Sequence, residues 1–425
     1  MNAATAASRA GQAHQAHPAR QADWRQGWIL VLTGFLPVVA IIALTPALPT
    51  LIAHFRGDID NPRFWVPLLI TAPSACIALL APVAGVITDK LGRRRLMLAS
   101  MLLYALGGLV PFFVDSFGMV VAGRVLIGIA EAGILTVTNT LLADYFDEQA
   151  RRRWLTVQAV VGSLLGSGLL VLSGWLASLG WQWPFAVYAV ALPLFAASWF
   201  WLYEPQRRES AHDAPPVAAA APATPTAVAG AFPTATMLMV CAVTLLLANV
   251  YFVQVINFSL VLKEMGVDNP RSIGLISAVP SFGVPLGGLL FYATGRFGSS
   301  AQLLLTFVLY GIGLGGIGLA ANVQQAMGFA FVQQMGSGLV ISALIAWAQS
   351  KLAFEHRGRG MGFWASSFFA GQFVSPAIVS LVAAQVGGLK AGFVAFGVLS
   401  LAVALLGTLG LRRRPGSAAP QAARA

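Results

Sequence analysis

Long, uncharged apolar runs occupy most of this chain and limit what it can fold into. A helix that crosses the hydrocarbon core of a bilayer needs about 20 consecutive apolar residues. Of the 425 residues, 57% are hydrophobic and only 10% are charged, whereas a soluble domain carries about a quarter charged residues. We therefore predict an all-α, multi-pass membrane protein with twelve transmembrane helices, at residues 27–50, 65–88, 96–114, 117–143, 154–177, 182–203, 236–262, 272–295, 301–321, 325–352, 361–384 and 389–411.

The twelve runs fall into two groups of six, separated by a polar stretch that proline interrupts. Residues 204–235, rich in Ala, Pro and Thr, are expected to form a cytoplasmic linker. It joins an N-terminal six-helix bundle, residues 27–203, to a C-terminal bundle, residues 236–411. Residues 1–26 and 412–425 contain no apolar run, so we expect cytoplasmic tails, the first of them disordered.

A weak internal repeat relates the two halves. Two features recur at nearly the same separation along the chain, namely Ile87-Thr-Asp89-Lys-Leu-Gly92 with Ala293-Thr-Gly295-Arg-Phe-Gly298, and the pair Glu148 and Arg151 with Glu355 and Arg357. Two independent matches at one separation indicate a duplicated six-helix unit and hence pseudo-symmetric bundles. The second copy has Gly295 where the first has Asp89, so any gate that it forms lacks that charge.

Basic residues are distributed unequally between the two sides that the runs define. If the N-terminus lies inside, most of the 26 Lys and Arg fall in cytoplasmic segments, and Arg124 lies within a span. The outer segments hold only Arg56, Arg63, Lys263, Arg271 and Lys390. This bias predicts cytoplasmic N- and C-termini, and it explains the net charge of +11 without a nucleic acid partner. We expect a monomer in the cell inner (plasma) membrane.

One short loop carries the most specific motif, Gly85-Val-Ile-Thr-Asp89-Lys-Leu-Gly92-Arg93-Arg94-Arg95. Gly85 lets another helix approach closely, Gly92 permits a tight turn, and the arginines keep the loop in the cytoplasm. The pattern G-x-x-x-D-x-x-G-R-R between two membrane helices resembles the signature loop of the major facilitator superfamily. The alternative is an ordinary basic hairpin loop. The resemblance covers residues 27–411 and implies two bundles that rock around a cavity near the midplane.

The resemblance also implies a cytoplasmic gate, formed by Gly85, Asp89, Gly92, Arg93, Arg94 and Asp144. The carboxylate of Asp89 can meet the N-terminus of the eleventh helix, near residues 360–366, whose exposed N–H groups favour negative charge. By resemblance, Asp89, Arg93 and Asp144 form a latch that holds the outward-facing state. The alternative is that these are independent, solvated surface charges.

The fourth run holds an ionisable pair, Arg124 and Glu131, which lie seven residues apart and therefore on one helix face. A charge at the bilayer centre costs about 2.5–3.5 kcal/mol, so such residues face a cavity or a partner. Arg124, followed by Gly128 and Ala130, resembles the family's fourth-helix motif, which is associated with proton coupling. We expect Glu131 to take up and release a proton while Arg124 sets its affinity. The alternative is a fixed structural pair that never titrates.

Polar side chains in the other spans are candidates for the substrate site, and they are Asn139, Gln158, Asn249, Tyr251, Gln254, Asn257, Gln333, Gln334 and Gln372. The spacing of Tyr251, Gln254 and Asn257 places them broadly on one helix face. Because amides in lipid need partners, each of these residues either bonds a neighbouring helix or contacts substrate.

The sequence contains no enzyme signature, phosphate-binding loop or metal-ligand spacing, so we expect no enzyme activity, no cofactor and no metal site. The prediction is a secondary active transporter that exports a small organic molecule by alternating access, coupled to protons. A drug or a secreted metabolite such as a siderophore or sugar would suit it. The alternatives are a proton-coupled solute importer and, from another class, a non-transporting membrane sensor. The expected partners are the substrate, protons and the lipid bilayer.

Overall fold

The computed structural model describes residues 22–205, 232–353 and 356–412, and the regular elements within those ranges are all helical. Most of the predicted tails and of the predicted linker lies outside the described residues. Twelve helical segments there are long and apolar enough to cross a membrane, which confirms the predicted fold class.

The spans are numbered here in chain order. They are helical over Trp24–Gly34 and Leu36–Ile42 (span 1), Pro62–Leu91 (span 2), Arg93–Leu109 (span 3), Phe117–Tyr145 (span 4), Glu148–Ala177 (span 5), Trp183–Val190 with Ala191–Trp201 (span 6), Thr234–Glu264 (span 7), Pro270–Ser281 with Gly283–Ala293 (span 8), Gly298–Leu319 (span 9), Val323–Ser350 (span 10), Arg357–Val386 (span 11) and Leu389–Arg412 (span 12). Because short loops join most of them, successive spans run in opposite directions. The end that carries Arg93–Arg95 is called the basic end, and the other is called the opposite end.

Several helices extend beyond the predicted apolar runs, and polar residues cap some of them. Span 5 begins at Glu148 since the Asp147 side chain accepts a hydrogen bond from the Ala150 backbone N–H at 2.7 Å. Span 7 is 31 residues long, or about 46 Å at 1.5 Å per residue. That length crosses a hydrocarbon core of about 30 Å and reaches beyond it on both sides.

The internal repeat has a structural counterpart in two glycine turns. Gly92, between spans 2 and 3, has φ +84° and ψ +151°, and Gly298, the first residue of span 9, has φ +78° and ψ +161°. Residues with a Cβ rarely adopt this conformation. The repeat that the sequence indicates around these glycines therefore coincides with the same backbone turn in each half.

Each half has its own apolar core. One cluster joins spans 1–6 and includes residues such as Leu30, Met101 and Ile134, while the other joins spans 7–12. Spans 7 and 11 contribute Ala248, Phe252, Ile256 and Phe368 to the first cluster. These two spans therefore connect the halves.

The halves pack closely toward the opposite end and separate toward the basic end. The backbones of Gly174 in span 5 and Gly274 in span 8 nearly touch, because a Cβ built on Gly274 would lie 2.5 Å from the Leu170 carbonyl oxygen. Ser167 and Ser281 hydrogen-bond at 2.8 Å nearer the middle. In span 5, every buried residue lies in the stretch from Gly166 to Ala177. The space between the bundles thus opens toward the basic end.

Candidate functional site

Arg124 is the most heavily bonded side chain in the core of the first bundle, and only 1% of it is exposed. Its Nε donates to the Leu69 carbonyl at 3.2 Å, and its Nη1 donates to the Tyr188 hydroxyl at 2.6 Å. Its Nη2 donates to the carbonyls of Ala40 at 2.8 Å and Ile70 at 2.5 Å. One guanidinium on span 4 therefore binds spans 1, 2 and 6.

Helix interruptions explain why two of these carbonyls are available. The usual donor to Leu69 would be the backbone N–H of residue 73, and Pro73 has none. The Leu44 N–H bonds Ile41 rather than Ala40, since span 1 unwinds there into bonds between residues three apart. Arg124 supplies the donors that the helices themselves lack, as buried carbonyls in lipid require.

Two further hydroxyls hold the interrupted end of span 1. Tyr104 donates to the Leu36 carbonyl at 2.8 Å, and Ser173 of span 5 donates to the Ala43 carbonyl. Tyr188 also donates to Ala40, at 2.9 Å. Span 1 is thus bonded through the Leu36, Ala40 and Ala43 carbonyls to four neighbouring spans, spans 3 to 6.

Glu131 lies two turns from Arg124 on the same helix, about 10 Å along its axis, and 2% of it is exposed. Its Oε1 is buried and has no hydrogen-bond partner within the described chain. No ion pair joins Glu131 to Arg124 among the described residues, because the guanidinium is directed at carbonyls and Tyr188 instead. A buried carboxyl oxygen without a partner costs free energy, and among the described carboxylates only Glu131 has such an oxygen.

At the basic end, part of the predicted gate comes together. Arg93 Nε lies 2.8 Å from Asp144 Oδ2, in an ion pair whose two side chains are about a quarter exposed. Gly92 provides the turn that brings Arg93 to this position. Both residues belong to the first bundle, so this bond joins spans 3 and 4 and does not cross to the second half.

Glu204, which the sequence analysis did not single out, organises the same corner. Its two carboxylate oxygens accept hydrogen bonds from the backbone N–H groups of Arg93 at 2.7 Å and Arg94 at 2.8 Å. A carboxylate at a helix N-terminus satisfies donors that lack helical partners and complements the helix dipole. Arg94 in turn donates to the Trp199 carbonyl at 2.6 Å. Span 3 is therefore bonded to the end of span 6.

The remaining gate residues, Gly85 and Asp89, have helical backbones in span 2, but their side chains lie outside the described part of the structure. The predicted contact between Asp89 and the start of span 11 thus stays a prediction. Adjacent to the gate, the Tyr145 ring stacks on that of Tyr203 with centroids 4.6 Å apart. The Tyr203 N–H donates to the Tyr145 hydroxyl at 3.0 Å.

The predicted substrate residues divide into two groups. Gln333 donates to the Tyr251 carbonyl at 3.3 Å, and Asn257 donates within its own helix to Val253 at 2.9 Å. Gln158 packs against Gly34 of span 1, and Asn139 is exposed. By contrast, four amides have a buried side-chain atom without a hydrogen-bond partner in the described chain, and they are Asn249, Gln254, Gln334 and Gln372.

Tyr104, Tyr188 and Trp364 are polar aromatic residues that the sequence did not single out. The Trp364 Nε1 is buried without a partner in the described chain, on the span that bears Gln372. Trp364 packs against the cores of both halves. These residues could have been identified from the sequence as hydroxyl or indole groups within apolar runs, since such groups need hydrogen-bond partners when buried.

Comparison with known proteins places this geometry in a wider class. The chain superposes on a bacterial homolog of the human lysosomal transporter Spinster, solved in an inward-facing and unoccupied conformation, with a TM-score of 0.69, 16% identity, and coverage of 92% of this chain and 98% of that one. An auto-inhibited POT family peptide transporter gives a TM-score of 0.69 at 14% identity, covering 94% and 99%. The fold is therefore that of the two-bundle, twelve-span membrane transporters.

The sequence profile of the Major Facilitator Superfamily matches residues 30–295 and 244–425, and the chain belongs to that superfamily. It is 32% identical over 108 residues to the Bacillibactin exporter of Bacillus subtilis (strain 168), covering 24% of this chain and 26% of that one. It is 29% identical over 162 residues to Efflux pump dotC of Dothistroma septosporum (strain NZE10 / CBS 128990), covering 37% and 27%. The aligned part thus spans about a quarter of the length of these relatives. Both are transporters, which agrees with the prediction that the chain is not an enzyme.

Proposed function

We propose that this transporter exports a small organic molecule in exchange for protons, by alternating access, with its basic end in the cytoplasm. The observation that carries the proposal is Glu131, a carboxyl group at 2% exposure whose Oε1 lacks a hydrogen-bond partner in the described chain. A carboxyl group that is held in place but incompletely bonded can exchange a proton without breaking the bundle.

In this proposal Arg124 and Glu131 have separate tasks. Arg124 is bonded to two spans through backbone carbonyls and to a third through Tyr188, so it stays fixed. Its positive charge acts on Glu131 from about two turns away. When rocking of the bundles changes the access of water to Glu131, the balance between its charged and neutral forms changes as well.

Export is favoured over import by the names of the relatives, an exporter and an efflux pump. The excess of Lys and Arg at the basic end supports a cytoplasmic location for that end in the plasma membrane. A cavity that opens there would accept substrate from the cytoplasm. A proton that crosses about 100 mV yields about 2.3 kcal/mol, enough for a gradient of between tenfold and a hundredfold.

The substrate would contact the four amides whose buried atoms lack partners in the described chain, Asn249, Gln254, Gln334 and Gln372. Together they offer amide N–H donors and carbonyl acceptors from spans 7, 10 and 11. The gate residues at the basic end, including Arg93 and Asp144, would meet span 11 through Asp89 when the bundles close there. The Arg93–Asp144 pair would then keep spans 3 and 4 in register during that movement.

The test uses everted membrane vesicles in which respiration acidifies the interior and quenches a pH-sensitive acridine dye. Ethidium, a catechol siderophore and a disaccharide are added in turn. An exporter that exchanges protons for one of these compounds should relieve the quenching in wild-type vesicles. Glu131→Gln should abolish that signal while the purified variant elutes and unfolds as the wild type does.

Glu264→Gln is the matched control, because this carboxylate is exposed at the opposite end of span 7. It should exchange protons as the wild type does. Coupled exchange that persists in Glu131→Gln would contradict the assignment of Glu131. Direction is read in intact cells, where an exporter lowers accumulation of the compound and a protonophore removes the difference. Higher accumulation in cells that contain the protein would instead indicate import.

A further inference from the structure

A cavity of about 650 Å³ lies at the basic end beside spans 3 and 6, away from the space between the bundles. Its wall includes three cationic, three aromatic and one carboxylate side chain, contributed by Lys90, Arg94, Arg95, Trp199, Phe200, Tyr203 and Glu204. None of the substrate candidates or the proton-coupling pair lines it. Gly92 and Arg94 of the predicted gate do line it, so the cavity adjoins that gate.

The cavity carries a surplus of positive charge that its own carboxylate does not remove. Both oxygens of Glu204 are engaged by the backbone N–H groups at the start of span 3. The Arg94 guanidinium lies over the Trp199 ring, 5.4 Å from its centroid, and its Nε has no hydrogen-bond partner among the described residues. Lys90 and Arg95 are exposed. Arg94 also donates from Nη2 to the Trp199 carbonyl at 2.6 Å, so the exposed Lys90 and Arg95 are the cations most accessible to an anion.

An apolar groove of about 350 Å³ continues from this cavity along span 6. Phe195, Ala196, Trp199 and Phe200 line the groove, and the last two also line the cationic cavity. Phe200 is 74% exposed and Trp199 is 53% exposed. Since span 6 crosses the membrane, these rings face lipid. A cationic recess thus leads directly into an apolar groove along the membrane surface.

We propose that this composite surface is a binding site for an anionic phospholipid. The phosphate group would bind Arg94, Lys90 and Arg95, and an acyl chain would lie in the groove formed by Phe195 and Phe200. Tryptophan and arginine are the side chains expected at headgroup depth, and basic pockets beside membrane helices bind anionic headgroups. A free phosphate would use the cations but would leave the adjoining groove without a function, so the groove favours the lipid.

The test is native mass spectrometry of the intact, detergent-solubilised protein with phosphatidylglycerol or phosphatidylcholine added at equal concentration. We expect retention of phosphatidylglycerol over phosphatidylcholine. A basic side chain near a lipid surface contributes about 1 kcal/mol, or about fivefold in affinity. The double variant Lys90→Gln/Arg95→Gln should therefore weaken phosphatidylglycerol binding about 25-fold. Phe200→Ala should weaken it as well, but should not change binding of glycerol 3-phosphate.

The matched control removes two exposed cations at the same end of the second half, Arg296→Gln/Lys351→Gln, where Arg296 is the repeat counterpart of Lys90. It should bind phosphatidylglycerol like the wild type. Equal retention of the two lipids, an equal loss in the control, or wild-type binding by Lys90→Gln/Arg95→Gln would overturn the proposal. Displacement of the lipid by millimolar inorganic phosphate would also overturn it, in favour of a soluble anion.

Discussion

Replacing Arg124 by leucine tests whether one guanidinium holds the first bundle together. The change removes four hydrogen bonds, three of them to backbone carbonyls of spans 1 and 2. The Leu69 carbonyl would then have no helical donor, because Pro73 follows four residues later.

The magnitude follows from the number of bonds. Interhelical hydrogen bonds in membranes average about 0.6 kcal/mol, and those in soluble proteins contribute about 1 kcal/mol. Four bonds therefore give a fall of about 2–4 kcal/mol in the free energy of unfolding. Arg124→Lys should fall in between, since an ammonium cannot reproduce the planar fork of donors. Tyr188→Phe, which removes the hydroxyl that joins Arg124 and Ala40, should cost about 1 kcal/mol.

The assay is equilibrium unfolding in mixed micelles of dodecylmaltoside and dodecyl sulfate. Arg296→Leu is the control, because this arginine is exposed in the second half, and surface changes are usually within about 0.5 kcal/mol. If Arg124→Leu unfolded at the same denaturant fraction as the control, the bonds to spans 1, 2 and 6 would contribute nothing to stability.

Three further changes probe the two ends of the molecule. Gly274→Ala should destabilise closure of the opposite end by about 1–3 kcal/mol, because its Cβ would lie 2.5 Å from the Leu170 carbonyl oxygen. Maleimide should then label a cysteine introduced by Ser281→Cys faster than it does without the Gly274 change. Gly288→Ala, which has open space around it, should leave that labelling rate unchanged. Glu204→Gln should lower the free energy of unfolding by about 1 kcal/mol, since a charged cap on two N–H groups is lost; an unchanged unfolding curve would exclude the capping role. Asp144→Asn should cost less than about 1 kcal/mol, because the Arg93–Asp144 pair is partly exposed; a larger loss of stability would show that this pair holds spans 3 and 4 together.

The membrane spans and the turn at Gly92 were predicted correctly from the sequence. Apolar runs predict spans because length and charge alone decide whether a helix can cross a bilayer. Helix ends were less predictable from the sequence. Span 5 was predicted to begin at residue 154, after its arginines, but the Asp147 cap extends the helix back to Glu148. The break in span 1 lies next to Pro37, which cannot donate a backbone hydrogen bond.

The partners of the buried polar groups could not be predicted from the sequence. The sequence did not show that Arg124 bonds carbonyls that Pro73 and the unwound part of span 1 make available. The hydrogen-bond partners of Arg124 can be identified only when the neighbouring spans are known. Glu204 was missed for the same reason, because it meets Arg93 across 111 residues of chain.

We propose that protonation of Glu131 determines which end of the transporter is open. Pairs of spin labels measure the opening of each end directly. One pair is placed at Arg152 and Arg296 of the basic end and another at Leu179 and Arg271 of the opposite end. Cys76 and Cys241 are replaced by serine. Electron–electron distance distributions are recorded in acidic and alkaline buffer. We predict that acid shifts the two wild-type distributions in opposite directions, and that Glu131→Gln shows the acid distribution in both buffers. Distances that shift with pH in Glu131→Gln as they do in the wild type would contradict the account.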